Sequence, residues 1–209
     1  EICACLVGSE MCIRDRNWLN EPQQWEIKEG KALVMDVPAK TDFWRISHYG
    51  FTVDDGPFYY ATYGGEFEVK VKITGNYVTT FDQMGLMLRI DHENWIKAGV
   101  EYVDGKQNVS AVVTHRTSDW SVVQLPDAPR SLWIKAVRRL DAVEIFFSRD
   151  DKEYTMIRTC WLQDNCPVMV GLMGACPDGK GFTATFEEFK VTPLADQRRL
   201  EWAKKQADK

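Results

Sequence analysis

The feature that most constrains this chain is a series of short alternating segments that runs from Gly65 to Val191. Segments such as EFEVKVKI and MGLMLRI place an apolar residue at every second position, and each is bounded by Gly, Asp, Asn or Pro. Such segments, separated by turn residues at intervals of roughly 8–12 residues, are typical of a β-sandwich or β-barrel. The sequence therefore predicts an all-β fold built from successive hairpins.

Composition limits the class of protein and its partners. The chain has 209 residues, of which 44% are hydrophobic, and this is enough for one large all-β domain with a substantial core. The formal net charge is −5 and the chain has no basic stripe, which argues against nucleic acid as a partner. No run of about 18 apolar residues occurs, so no membrane-spanning segment is predicted.

The two ends of the chain differ from the hairpin series. Residues 1–16 show neither strand alternation nor a helical stripe, and their sequence resembles translated adapter read-through. We therefore predict a non-native or disordered segment there; the alternative is a metal or redox site at the Cys-x-Cys pair, Cys3 and Cys5. Residues 17–193 are predicted to form the domain, and residues 194–209 a helix that lies on the domain or reaches a partner.

The remaining cysteines, Cys160, Cys166 and Cys176, are dispersed in the sequence. Cysteines spaced in this way are most simply small buried hydrophobic residues in a reducing compartment, which predicts a cytoplasmic protein. The alternative is a disulfide that joins Cys166 to one of the other two.

Alternation also sorts side chains between the two faces of a sheet. In MGLMLRID and NWIKAGVEY one face is apolar, whereas the other carries Arg89, Lys97 and Glu101 above Gly85 and Gly99. A hairpin closed between these segments is expected to set Arg89 beside Lys97 and Gly85 beside Glu101. The polar face is either solvated or a ligand-binding concavity, because glycines leave room for a ligand to approach.

The chain contains 8 tryptophans, and several lie in predicted loops or at strand ends. An exposed aromatic ring beside hydrogen-bonding side chains is a common way to bind a sugar ring. Trp44 and Trp120 each lie close to an aspartate of a predicted turn and are candidates for stacking on a ligand. Trp133 and Trp161 are predicted to be core residues.

No catalytic motif stands out. Glycoside hydrolysis needs two carboxyl groups at a defined separation, and a hydrolase or lyase here would have to use Glu101 with one partner aspartate. The three histidines are isolated, so the sequence predicts no metal site and no cofactor. The glycine-rich segment GACPDGKG leads into a predicted strand rather than a helix, which disfavours a phosphate-binding loop.

Five longer segments occur in a specific order: TDFWR, MGLMLRIDHENWIKAGVEY, VSAVVTHRTSDWS, FFSRDDKEYTMIR and VGLMGACPDGKGFTATFEEF. Together they resemble the family of uncharacterised proteins named for a regulator of enolase, over about residues 17–193. The resemblance implies a concanavalin A-like lectin/glucanase jelly roll, in which one of two antiparallel sheets is concave. It implies no established enzyme activity, and it suggests protein binding or carbohydrate sensing. Cys176 stands where the family has a serine, which disfavours a hydroxyl-mediated role there.

Three hypotheses about function remain open. The first is a non-catalytic binding module that recognises a carbohydrate or small polar metabolite on the concave face and regulates sugar metabolism. The second is an interaction or structural protein that docks a larger protein through its sheet edge or C-terminal helix, and the third is a glycoside hydrolase or lyase. The first hypothesis predicts eight ligand-binding residues: Asp42, Trp44, Arg89, Lys97, Glu101, Thr114, Asp119 and Trp120.

Overall fold

A computed structural model describes residues 16–208 of the chain. Seven antiparallel strands form the first sheet, in the spatial order β1 (Asn17–Leu19), β6 (Phe58–Tyr63), β15 (Val168–Ala175), β8 (Gln83–Arg89), β9 (Asn94–Val103), β10 (Lys106–His115) and β11 (Thr117–Gln124). Seven more form the second sheet, in the order β14 (Thr155–Trp161), β13 (Ala142–Ser148), β12 (Leu132–Arg139), β7 (Phe67–Gly75), β16 (Phe182–Pro193), β3 (Ala32–Val37) and β2 (Trp25–Lys28).

A two-stranded sheet, β4 (Phe43–Arg45) and β5 (Thr52–Asp54), and a single helix, α1 (Gln197–Ala207), complete the described fold. The predicted jelly-roll sandwich of two antiparallel sheets with a short C-terminal helix is therefore confirmed. Residues 1–15 of the segment predicted to be non-native, including its Cys-x-Cys pair, lie outside the described residues.

The core lies between the two large sheets and is built from the alternating apolar positions. Leu86 and Ile96 of the first sheet and Ile134 and Phe186 of the second are among its fully buried members. Burial of such side chains stabilises the fold by about 25 cal/mol for each Å² of apolar surface removed from water.

One tryptophan prediction is correct and the other is wrong. Trp133 is buried as predicted, but Trp161 is 51% exposed. Trp161 is the last residue of β14, an edge strand, and its ring packs against His115 at 4.9 Å between ring centroids. His115 belongs to the first sheet, but because Trp161 lies at the end of an edge strand, His115 covers only part of its ring.

Residues 43–63 contribute three strands. β4 pairs with β5, and residues 58–63 form a strand of the first sheet. We call β4, β5 and their connecting turn the flap (residues 43–54). The flap lies against the first sheet because Phe43 and Trp44 are buried with Met87 and Trp95.

The hairpin of β8 and β9 has a different register from the one expected. Arg89 lies opposite Trp95 and Gly85 opposite Gly99, two residues away from the expected pairing. The turn closes early because the Asp91 carboxylate accepts hydrogen bonds from two backbone N–H groups of the turn, at 2.7 and 2.9 Å. The expected pairings of Arg89 with Lys97 and of Gly85 with Glu101 are therefore wrong, although all remain on the predicted face.

Candidate functional site

The polar face predicted from alternation is the side of the first sheet that faces away from the core, here called the outer face. Arg89, Lys97 and Glu101 lie on it, yet their exposed fractions are only 5%, 5% and 6%. The outer face is therefore not a solvated surface. Buried charged side chains need partners, and their partners define what this face can do.

The two cationic side chains, Lys97 and Arg89, bind the flap. Lys97 Nζ donates to the carbonyl oxygen of Phe43 at 2.7 Å and lies 3.5 Å from Asp42 Oδ1. Arg89 forms two hydrogen bonds of 2.6 Å with the carboxylate of Asp54. A bidentate, largely buried pair of this kind is geometrically specific, so it fixes the position of the flap on the sheet.

Three further residues, Thr114, Ser118 and Trp44, form hydrogen bonds that hold the flap in position. Thr114 and Ser118 share a hydrogen bond of 2.8 Å, and Ser118 Oγ accepts from the backbone N–H of Arg45 at 2.9 Å. The Trp44 indole donates to the carbonyl oxygen of Ser47 at 2.9 Å, and its ring is buried. In this arrangement Trp44 offers no ring face to a ligand.

A small pit remains beside the flap, and Glu101 lies in it. Glu101 Oε2 accepts from Ser110 Oγ at 2.7 Å and from the Trp120 indole at 2.8 Å, while Oε1 receives no hydrogen bond from the described part of the chain. The pit has a volume of about 10 Å³ and is also lined by Lys97 and Gln83. Such a volume holds about one water-sized group.

The environment of Glu101 changes its acidity. Burial raises the pKa of this carboxyl above 4.5, against the opposing effects of nearby Lys97 and of the hydrogen bonds from Ser110 and Trp120. The negative charge of Asp42 adds to the upward shift of the pKa. The carboxylate is therefore an oriented acceptor that is poorly solvated.

The two glycines beneath the pit have a structural cause that the sequence interpretation missed. A Cβ atom on Gly99 would lie 1.9 Å from the carbonyl oxygen of Met84, and one on Gly85 would lie 2.1 Å from the carbonyl oxygen of Ala98. The close approach of the β8 and β9 backbones requires these glycines, so they do not by themselves indicate a concavity for a ligand.

Asp119 does not join the other predicted residues. Its side chain is 68% exposed and pairs with Arg158 of β14 at 3.0 Å. Residues that the sequence analysis did not single out include Gln83, which lines the pit, and Asp54, which binds Arg89. Alternation from Gly85 would have placed Gln83 on the outer face, whereas nothing local to Asp54 indicates its distant partner.

Within residues 16–208 the structure has no metal-binding cluster, no disulfide and no membrane-spanning helix. No group of three or more His, Cys, Asp or Glu side chains in this range is arranged to hold a metal ion. Cys160, Cys166 and Cys176 are all unpaired, and only Cys176 is fully buried. No described helix is both long enough and apolar enough to cross a membrane.

Comparison with known proteins places the chain in a family. A family model described as "Protein of unknown function (DUF1349)" matches residues 18–194. "Regulation of enolase protein 1" of Saccharomyces cerevisiae is 35% identical over 175 residues, which are 84% of this chain and 88% of that protein. The crystal structure of a functionally unknown protein from Saccharomyces cerevisiae has a TM-score of 0.84 at 33% identity, over 88% of this chain and 100% of the other.

More distant structures share the fold alone. The Bacteroides ovatus xyloglucan PUL GH43B has a TM-score of 0.67 at 15% identity, and the match covers 89% of this chain but only 38% of that one. The carbohydrate binding module CBM66 from Bacillus subtilis has a TM-score of 0.55 at 14% identity, over 84% of this chain and 95% of that one. The chain therefore belongs to the DUF1349 family and is a relative of "Regulation of enolase protein 1", as its motifs predicted.

Proposed function

We propose that this protein is a non-catalytic binding module that recognises a carbohydrate or a small polar metabolite at the pit on the outer face. The observation that carries the proposal is the burial of Glu101 together with its incomplete hydrogen bonding. Its carboxylate is buried and held at one oxygen by Ser110 and Trp120, while the other oxygen receives no donor from the described chain. Burying a charge is costly, so a buried carboxylate with one oxygen that receives no donor favours a functional role over a structural one.

The size of the pit limits what enters it. One hydroxyl or amino group of a ligand would donate to Glu101 Oε1, since the pit accepts about one water-sized group. The rest of the ligand would lie against Trp120 and Phe81, two half-buried rings whose centroids are 6.4 Å apart. This arrangement pairs an apolar ring surface with a fixed acceptor, which suits the alternating polar and apolar surface of a sugar.

The relatives agree with this proposal in different ways. The name "Regulation of enolase protein 1" supports a role in the control of sugar metabolism. The fold shared with the carbohydrate binding module CBM66 supports a binding role without catalysis. Neither relative identifies the ligand.

Trp120 provides a direct test, because its indole N–H donates to Glu101. The full chain labelled with ¹⁵N is titrated with neutral mono- and oligosaccharides, glucose 6-phosphate and glucosamine, and the indole signal of Trp120 is assigned from Trp120→Phe. We expect one compound to shift that signal saturably, and Glu101→Gln to weaken its binding by about tenfold, the scale of one hydrogen bond to a charged group.

Glu68→Gln is the matched control, since Glu68 lies on β7 of the second sheet. It should bind like the unaltered chain. If Glu101→Gln and Glu68→Gln bind every responding compound equally well, the pit is not the binding site.

Protein binding is a second candidate function, favoured by one observation. Helix α1 begins after the N-cap residue Asp196 and has no buried residue, and Trp202 is 63% exposed. Because the relative's name points to enolase, the test is binding of purified enolase to the chain, to a variant truncated after Asp196, and to Trp202→Ala. Loss of binding in both variants would support this candidate, and equal binding by all three would contradict it.

A further inference from the structure

A groove lies at one end of the sandwich, beside the ends of β1, β3 and β16. Its volume is about 650 Å³, and it is formed where the loops around residues 20–24, 36–41 and 180–183 meet beside Asp55. The groove and the pit share no lining residue. Its volume falls within the range of about 300–1,000 Å³ that is typical of small-molecule sites.

Three carboxylates in the groove are each oriented by one hydrogen bond. Asp36 Oδ1 accepts from a threonine hydroxyl at 2.9 Å, Asp55 Oδ1 from a backbone N–H at 2.8 Å, and Glu21 Oε1 from the Trp25 indole at 2.8 Å. The second oxygen of each receives no donor from residues 16–208. Each carboxylate is exposed and held at one oxygen, and its other oxygen keeps acceptor capacity for a ligand. Such partial orientation lowers the entropy lost on binding.

The groove also supplies donors. Gln23 and Gln24 contribute side-chain amides, and Lys180 contributes an ammonium group that forms no ion pair with the described residues. A glutamine amide can donate a hydrogen bond to a ligand hydroxyl or accept one from it, whereas the lysine ammonium only donates. The lining thus mixes acceptors and donors instead of presenting one sign of charge throughout.

From this pattern we infer that the groove is a second binding site, for a neutral polyhydroxylated ligand such as an oligosaccharide. An anionic ligand would meet three carboxylates against one ammonium group, which is repulsive. A simple cation would leave the amide and ammonium donors unused or opposed. A hydroxyl donates to a carboxylate and accepts from an amide or ammonium, so vicinal hydroxyls use both kinds of group.

The test uses the ¹⁵N-labelled full chain and the side-chain amide signals of Gln23 and Gln24. The probes are xylotriose, cellotriose and maltotriose, with glucosamine as the cationic compound and glucose 6-phosphate as the anionic one. We expect at least one trisaccharide to shift these signals saturably, and neither charged compound to do so.

Asp36→Asn is the informative variant. Its remaining oxygen can still accept the threonine hydroxyl, but a donor replaces the free acceptor, so we expect affinity to fall by about tenfold or more. Glu101→Gln should leave these shifts unchanged, which separates this site from the pit. Glu153→Gln, at an exposed carboxylate between β13 and β14, is the matched control.

Three results would overturn the inference. The first is that no trisaccharide moves the Gln23 and Gln24 signals up to its solubility limit. The second is that glucosamine alone moves them, which would indicate attraction of a cation. The third is that Asp36→Asn binds as tightly as Glu153→Gln.

Discussion

At the scale of single residues, Gly99 and Glu101 are neighbours on β9 whose presence has different physical causes. Gly99 is required by packing, because the backbone of β8 passes too close for any side chain. Glu101 is not required in that sense, since an apolar side chain of similar size would avoid the cost of burying a charge. The difference makes Gly99 a test of the fold and Glu101 a test of the function.

Gly99→Ala should be strongly destabilising. The new Cβ would lie 1.9 Å from the carbonyl oxygen of Met84 and 2.7 Å from the Cα of Gly85, and both are backbone atoms that cannot move cheaply. We expect a loss of about 2–3 kcal/mol in the free energy of unfolding, measured by urea denaturation. Gly64→Ala is the matched control, because nothing lies within 4 Å of its Cβ position; an equal loss in both variants would contradict this account.

The raised pKa of Glu101 predicts a pH dependence with a definite sign. Because the folded protein binds this proton more tightly than the unfolded chain, the stability from Glu101 is fully present below pH 4.5 and is lost as the pH rises through the raised pKa. Glu101→Gln has no titratable group at this position, so its stability lacks this pH-dependent loss. The Tm of Glu101→Gln minus that of the unaltered chain should therefore be more positive at about pH 7 than at about pH 4, as measured by thermal denaturation in a buffer series; a difference independent of pH would contradict the assignment.

At the scale of elements, the flap is the feature that decides how the outer face is used. Its turn contains Ile46, His48 and Gly50 at φ values of 66°, 64° and 75°, a backbone conformation that is rare for a β-branched residue such as Ile46. The turn presents Tyr49 and Phe51 as stacked rings, 5.6 Å apart and both partly exposed. Its base is held to the sheet by buried polar contacts, of which the pair of Arg89 with Asp54 is the most complete.

Arg89→Met should loosen the flap more than it disturbs the sandwich. The change leaves Asp54 without its partner, and breaking a largely buried pair costs about 3 kcal/mol. Hydrogen–deuterium exchange should speed up in residues 43–54 while exchange in β12 and β13 stays slow. Asp119→Asn removes an exposed partner of Arg158 instead and should cost under about 1 kcal/mol; uniform acceleration across the chain in Arg89→Met would contradict a flap-specific role.

The contrast between β9 and the flap shows what could be predicted from the sequence. A period of two residues places Lys97 and Glu101 on the same face of β9 whatever the rest of the chain does, and the structure agrees. The register of the hairpin depended on the side chain of Asp91, and the partners of Arg89 and Lys97 depended on a segment far away in sequence. Alternation indicates which face a residue occupies, but it carries no information about what covers that face.

At the scale of the whole molecule, α1 is an appendage of the sandwich, because none of its residues is buried. The N-terminal end of the helix is attached through the backbone N–H of Gln197, which donates to Glu66, and through an ion pair between Arg198 and Asp164. Glu66 is itself buried and also accepts from Arg139, so the sandwich keeps this acceptor occupied without the helix.

Truncation after Asp196 should therefore change the stability very little. The loss is limited to one backbone hydrogen bond and one exposed ion pair, together about 1 kcal/mol or less. Thermal denaturation of the truncated chain should give nearly the same Tm and the same cooperativity as the full chain. A large fall in Tm would show that the helix packs on the domain after all.

The flap has a kinetic and thermodynamic consequence for anything that binds the outer face. A segment covalently joined to the sheet behaves as a competitor whose effective concentration is on the order of millimolar, and it cannot be diluted away. A ligand that requires the Arg89 guanidinium or the Lys97 ammonium must displace it, so the measured Kd is the intrinsic one divided by the small fraction of molecules in which the flap is open. Such a protein would be insensitive to scarce compounds and would respond to abundant ones.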